Sequence, residues 1–191
     1  MKIYIKAIVI SLVLAIAISG SFYFWKTGTD AGSKQSKING IEQMERYGVP
    51  NFEAISLDGD QISLGKITNP IMIVHFWASW CGPCVEEIPS LVKLVDEMKG
   101  QVKVIAVSGD SSDEDVHNFL KSFPEMKHKD IHIIVDKSQS ISRLYDVDRL
   151  PESFIANQKH QLIKKIIGST NWHTADSVSY LKGQIKAGSD E

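Results

Sequence analysis

Residues 75–89 read HFWASWCGPCVEEIP, and they set the chain's only two cysteines, Cys81 and Cys84, between an apolar run and a charged, helix-like segment. The run that leads into it, PIMIVHFW from Pro70, is of strand length and nearly continuous in apolar residues, the pattern of a strand covered on both faces. A helix begun near Cys81 and carried to about Met98 turns successive side chains by about 100°. On that wheel Ile88, Leu91, Val92, Val95 and Met98 share one broad arc with Cys84, with Val85 and Leu94 at its edges. Glu86, Ser90, Lys93, Asp96 and Glu97 fall opposite, but Glu87 falls inside the apolar arc. Either Glu87 leans out from the edge of the stripe, or it is a buried proton acceptor near Cys84. The second reading demands a polar partner or a raised pKa, because an unpaired buried carboxylate is costly.

Two cysteines at this spacing could be a structural pair, a metal clip or a redox couple. A structural disulfide here would close a loop of a few residues and restrict the unfolded chain little. A structural zinc site takes four ligands, and His75, His117, His128, His132, His160 and His173 stand at no recognisable spacing to complete one. No metal and no cofactor is therefore expected. As a redox couple the pair divides its labour. Cys81, at the helix start, meets unpaired backbone N–H groups and the helix dipole, which favour a thiolate, so it is the expected attacking sulfur. Cys84, one turn inward, resolves the mixed disulfide, and Gly82 and Pro83 suit the tight helix entrance. Exchange also needs a proton carrier, a task for Glu87.

Outward from this segment, VPNFEAISLDGDQISL alternates apolar and polar residues on both sides of Asp58-Gly59, which predicts a hairpin. QVKVIAVSG (101–109) and IHIIVD (131–136) read as strands, with EDVHNFLKSF (114–123) as a helix between them. SQSISRLYDV is a short helix, SFIAN and QLIKKIIGS a terminal hairpin, and Thr174 opens a last helix toward Ala187. Strands alternating with helices and ending in a hairpin predict an α/β fold with a mixed central sheet flanked by helices.

The amino terminus has a different composition. Lys2 and Lys6 precede an uncharged, mostly apolar run from Ala7 to Trp25, closed by Lys26, about the length needed to span a bilayer. Ala15-Ile16-Ala17 offers a weak cleavage site for a signal peptide, but the cluster Phe22, Tyr23, Phe24 and Trp25 is that of an interfacial anchor. The predicted organisation is a cytoplasmic end (1–6), a transmembrane anchor or uncleaved signal (7–25), a flexible polar linker (26–40), the α/β domain (41–187) and a tail (188–191). The Lys distribution places that domain on the extracytoplasmic face of the membrane, where disulfides persist. A net charge of -2 and the lack of any basic cluster exclude a nucleic-acid partner.

WCGPC at 80–84 is identical to the active-site string of thioredoxin. With PNFEAISLDGDQISL, the Glu87 and Pro89 of WCGPCVEEIP, and LPESFIANQKHQLIKKIIG, the chain from about 48 to 187 resembles the membrane-anchored TlpA/ResA/CcmG branch of thioredoxin-like proteins. The resemblance implies a thioredoxin fold with an N-terminal β-hairpin extension. It implies thiol-disulfide exchange with exported proteins, and a cis Leu150-Pro151 peptide facing the cysteines, with Leu150, Pro151 and Trp80 lining a substrate groove. It also implies that Glu87 is the branch's acidic residue beneath the pair.

His75 departs from the pattern. Six residues before Cys81, thioredoxin carries a buried Asp and this branch often an Asn; a histidine there is either a hydrogen-bonded core residue or a second group handling protons with Glu87. Pro151-Glu152-Ser153 resembles the Pro-Glu-Thr of the cytochrome c maturation members, whereas Gly82-Pro83 is the thioredoxin choice. The expected function is a membrane-tethered thiol-disulfide reductant acting on exported disulfide proteins and fed by a membrane electron donor. The alternatives are a dedicated reductase of apocytochrome c thiols and, from another class, a copper or zinc carrier. A thiol peroxidase lacks support because Ala78 stands where a Thr or Ser is needed.

Overall fold

Ile71–Trp77, the run that precedes the cysteines, is the central strand (β3) of a five-stranded sheet, and every one of its residues is buried. The computed structural model describes residues 19–21 and 40–189. Most of the predicted anchor and of the predicted linker lie outside the described residues, and no described helix is long and apolar enough to cross a membrane.

In chain order, helix α1 (Gly40–Tyr47) is followed by the hairpin β1 (Glu53–Ile55) and β2 (Gln61–Ser63), then β3, helix α2 (Gly82–Met98) and β4 (Val102–Ser108). Helix α3 (Asp113–Leu120), β5 (Ile131–Val135), helix α4 (Ser140–Leu144), the pair β6 (Glu152–Asn157) and β7 (Leu162–Ile167), and helix α5 (Ala175–Ser189) complete it. The sheet order is β5-β4-β3-β6-β7, with β3 parallel to β4, β4 parallel to β5, and β6 and β7 antiparallel. Parallel neighbours need crossover connections, which α2 and α3 supply. The mixed sheet, the flanking helices and the amino-terminal hairpin follow the sequence pattern. Helix α1 was not predicted; it is short and buries Met44 alone.

Two apolar layers sandwich the sheet. Ile73 and Trp77 of β3 meet Cys84, Ile88, Leu91 and Val95 of α2 on one face. On the other, Phe76, Tyr145 and Phe154 pack ring against ring, and the Tyr145 hydroxyl donates to the Pro50 carbonyl at 2.7 Å. The hairpin docks through Leu57 N–H, which donates to Ile133 O at 2.7 Å. Gly48 turns the chain into the hairpin at φ +87, and a Cβ there would sit 2.6 Å from the His160 carbonyl oxygen, so only glycine fits. Pro89 lies inside α2 and removes one helical N–H. A turn of that helix is tied to the chain after β7 instead: Ser90 Oγ donates to Glu87 O at 2.8 Å and accepts from Trp172 N–H at 3.1 Å.

Candidate active site

Where β3 ends, its parallel neighbour β4 ends too, and the chain crosses into α2 at the carboxyl edge of the sheet, the usual place for chemistry in such folds. Cys81 is the N-cap of α2 and is joined to Cys84 by a disulfide. Cys81 retains 7% exposure and Cys84 none. The outer sulfur is therefore the one a partner can reach, and the inner one lies in the apolar layer. Trp80, just before the pair, is 70% exposed, whereas Trp77 is wholly buried against Phe119. Pro83 occupies the first turn of α2, and a Cβ at Gly82 would meet open space.

The turn leading to Cys81 is held from the side by a residue that no sequence pattern singles out. Asp110, 2% exposed, accepts from Ser79 N–H at 2.9 Å and from Ser79 Oγ at 2.6 Å. It also accepts from the Ser108 hydroxyl, and Gly109 N–H donates to Trp77 O at 2.8 Å. The turn before the cysteines is thus fastened to the end of β4. The Leu150-Pro151 peptide is cis, and the Leu150 side chain packs against the apolar layer that contains both cysteines.

Glu87 is 4% exposed and so does not lean out of its helix stripe. Its Oε2 accepts from Trp172 Nε1–H at 2.9 Å and from Thr170 N–H at 3.1 Å. Burial pushes the carboxyl up to about 7, against the opposing pull of the Thr170 and Trp172 donors. Its Oε1 lies 3.6 Å from His75 Nε2. His75 is fully buried, its Nδ1 lies 2.8 Å from Ser153 Oγ, and burial pulls its pKa down to about 4, so the ring is neutral. An open groove of about 460 Å³, lined in part by Glu87, Ser90, Lys93, Thr170 and His173, runs from solvent to the loop that holds the carboxyl.

Trp172 and Thr170 were invisible to pattern reading, and Ser153 stood out only as the end of Pro151-Glu152-Ser153, with nothing to link it to His75. The indole comes from a polar stretch, GSTNWHT, with no periodicity, and it meets Glu87 across a separation of 85 residues.

Disulfide exchange asks for an accessible sulfur to be attacked or to attack, a second held within bonding distance, and a group nearby that titrates close to neutrality. The geometry meets each demand on a five-stranded mixed sheet, which places the chain among thioredoxin-fold thiol-disulfide oxidoreductases. More narrowly, it belongs to the Redoxin family, whose profile matches residues 45–185, and within that family it is of the TlpA/ResA/CcmG type.

It is 32% identical over 120 residues to a thiol-disulfide oxidoreductase ResA of Bacillus cereus, a match that spans 62% of this chain and 67% of that one. The ResA of Bacillus subtilis (strain 168) is 30% identical over 121 residues, spanning 63% and 65% of the two chains. Among solved structures, StoA from Bacillus subtilis superposes with a TM-score of 0.56 at 25% identity, over 71% of this chain and 96% of its own.

Proposed function

We propose that the chain is a membrane-tethered reductant of disulfides in exported proteins. The observation that carries this reading is the asymmetry of the joined pair, an outer Cys81 at a helix start and an inner, fully buried Cys84. In the reduced enzyme the Cys81 thiolate attacks a substrate disulfide, forms a mixed disulfide and expels one substrate thiolate. Glu87 accepts the proton that the Cys84 thiol gives up, and the Cys84 sulfur attacks Cys81, releasing the second substrate thiol. Two electrons pass to the substrate and the Cys81–Cys84 disulfide remains, to be reduced again by a membrane electron donor.

The exposed Trp80, with Leu150 and Pro151, forms the substrate-binding rim. The apolar run from Ala7 to Trp25 supports tethering, with the catalytic domain outside the cytoplasm. A dedicated role on apocytochrome c is the second reading, and Pro151-Glu152-Ser153 is the feature that favours it. A zinc carrier would need ligands beyond two sulfurs, and among the described residues no three His, Cys, Asp or Glu side chains are grouped to hold one; a copper carrier would need both sulfurs as thiolates, whereas here they are joined in a disulfide.

The full chain, once reduced, should open a synthetic peptide disulfide stoichiometrically, and Cys81→Ser should abolish this. Retention of activity in Cys81→Ser, or tight stoichiometric metal binding with no disulfide turnover, would overturn the reading.

A further inference from the structure

Among the described residues, Glu87 Oε1 and His75 Nε2 are both buried polar atoms without a hydrogen-bond partner, and they face each other at 3.6 Å. Each is the other's natural complement. The remaining polar atoms of the two side chains are already engaged: Glu87 Oε2 holds two N–H donors, and His75 Nδ1 lies against the Ser153 hydroxyl. Two donors on Oε2 leave Oε1 as the position for the carboxyl proton. Ser153 sits directly across from His75 in the β3–β6 pairing, on the same face of the sheet. A hydroxyl can either donate or accept, and a neutral imidazole can carry its proton on either nitrogen.

Resting on the thiol-disulfide reading above, we propose that His75 and Ser153 are positioning residues whose hydrogen bonds reverse as Glu87 gains or loses its proton. With Glu87 protonated, Oε1–H donates to His75 Nε2, and the ring's Nδ1–H donates to Ser153 Oγ. With Glu87 ionised, the ring carries its proton on Nε2 and donates to Oε1, while the Ser153 hydroxyl donates to Nδ1. The three-residue unit loses one proton in total and passes from neutral to singly negative. That proton goes to a thiolate released during exchange, or to solvent in a titration.

The surroundings favour this two-state behaviour. Helix α2 presents Glu87 to the ring, the Trp172 indole from the chain after β7 meets it edge to face at 6.3 Å between centroids, β4 presents Ala106, and β6 presents Ser153. The neighbouring carboxylate, Glu152, pairs with Phe76 on the opposite face of the sheet and is bound to Lys165 at 2.9 Å. Glu86, Lys93 and His173 line the groove that reaches Glu87, but His173 is engaged by Glu97 and, among the described residues, the ion-pair contact of the Glu87 carboxyl is with His75. A carboxyl whose both states keep a partner can cycle without ever leaving a buried orphan, which an apolar residue at position 75 could not provide.

The test uses the full chain, labelled with 15N and 13C, with its disulfide intact. The ring nitrogens of His75 report its tautomer, and the side-chain carboxyl 13C shift of Glu87 reports its protonation. As Glu87 titrates, His75 should pass from the Nδ1–H to the Nε2–H tautomer with the same midpoint, without becoming doubly protonated. Two substitutions should then move that midpoint in opposite directions, each by about one pH unit. Ser153→Ala favours the Nε2–H tautomer, because an unpaired ring lone pair costs less than an unpaired N–H, and so lowers the midpoint. His75→Leu removes the donor to the carboxylate and raises it. A single tautomer throughout the titration, or midpoints that move the same way, would overturn the proposal while leaving the roles of Cys81 and Cys84 intact. Failure of the thiol-disulfide reading itself would appear separately, as unimpaired disulfide reduction by Cys81→Ser.

Discussion

Replacing Glu87 by glutamine should make the folded protein more stable at neutral pH than the native sequence, and the gain should vanish in acid. The native carboxyl titrates at about 7, raised from 4.5 by burial. Between those two values the folded chain still holds a proton that the unfolded chain has already released. Stability attributable to this group therefore falls as pH rises from about 4.5 and reaches its full deficit above about 7. A displacement of roughly 2.5 pH units corresponds to about 3 kcal/mol, a large fraction of a typical domain's total stability. Glutamine preserves the shape and removes the charge: its oxygen can accept from Trp172 and Thr170, and its amide can donate toward His75 Nε2.

His75 imposes the opposite trend, since it stays neutral in the fold down to about 4 and the unfolded ring takes up a proton below 6.5. That trend is common to both proteins, so the difference between them isolates the carboxyl. Urea unfolding of the oxidised proteins, followed by tryptophan fluorescence from about pH 4 to about pH 8, should show Glu87→Gln gaining about 3 kcal/mol relative to the native sequence across that range. A difference that is flat with pH, or that runs against the variant, would refute the burial argument.

Other substitutions test the remaining supports of the site. Trp172→Phe keeps an aromatic ring but removes one donor to the carboxylate, so the midpoint of Glu87 should rise by about one further pH unit, read by 13C titration. Asp110→Ala leaves Ser79 N–H and the Ser79 and Ser108 hydroxyls without their acceptor; unfolding should show a loss of about 2–4 kcal/mol, and disulfide reduction should slow as the turn before Cys81 loosens. Trp80→Ala, at an exposed position, should leave stability within about 0.5 kcal/mol while raising the KM for a peptide disulfide severalfold. An unchanged KM would remove Trp80 from the substrate rim.

How far the sequence could be read depends on whether a contact is local. Cys81, Cys84 and Glu87 lie within two turns of one helix, so the wheel alone brought them to the same face, and the apolar run before them marked β3. The strands and the terminal hairpin were legible because burial on one or both faces dictates composition with a period short enough to see. His75 was visible as a polar residue in an apolar strand and was already linked to Glu87, but its hydrogen-bond partner Ser153 was not, because it comes from β6. Trp172 and Thr170 reach Glu87, and Asp110 reaches Ser79, across separations of 85, 83 and 31 residues, with no periodicity to announce them. Helix α1 escaped notice for a different reason: it is eight residues long and adjoins the polar linker, so its apolar stripe of Ile41, Met44 and Tyr47 spans barely two turns.

That Cys81 attacks and Cys84 resolves is tested most directly by trapping. The full chain carrying Cys84→Ser, expressed in place of the native protein, should accumulate mixed disulfides through Cys81 with exported proteins, visible as bands that collapse on reduction. The chain carrying Cys81→Ser should accumulate none. Mixed disulfides that form through Cys84 in the Cys81→Ser protein, or none in the Cys84→Ser protein, would contradict this division of labour.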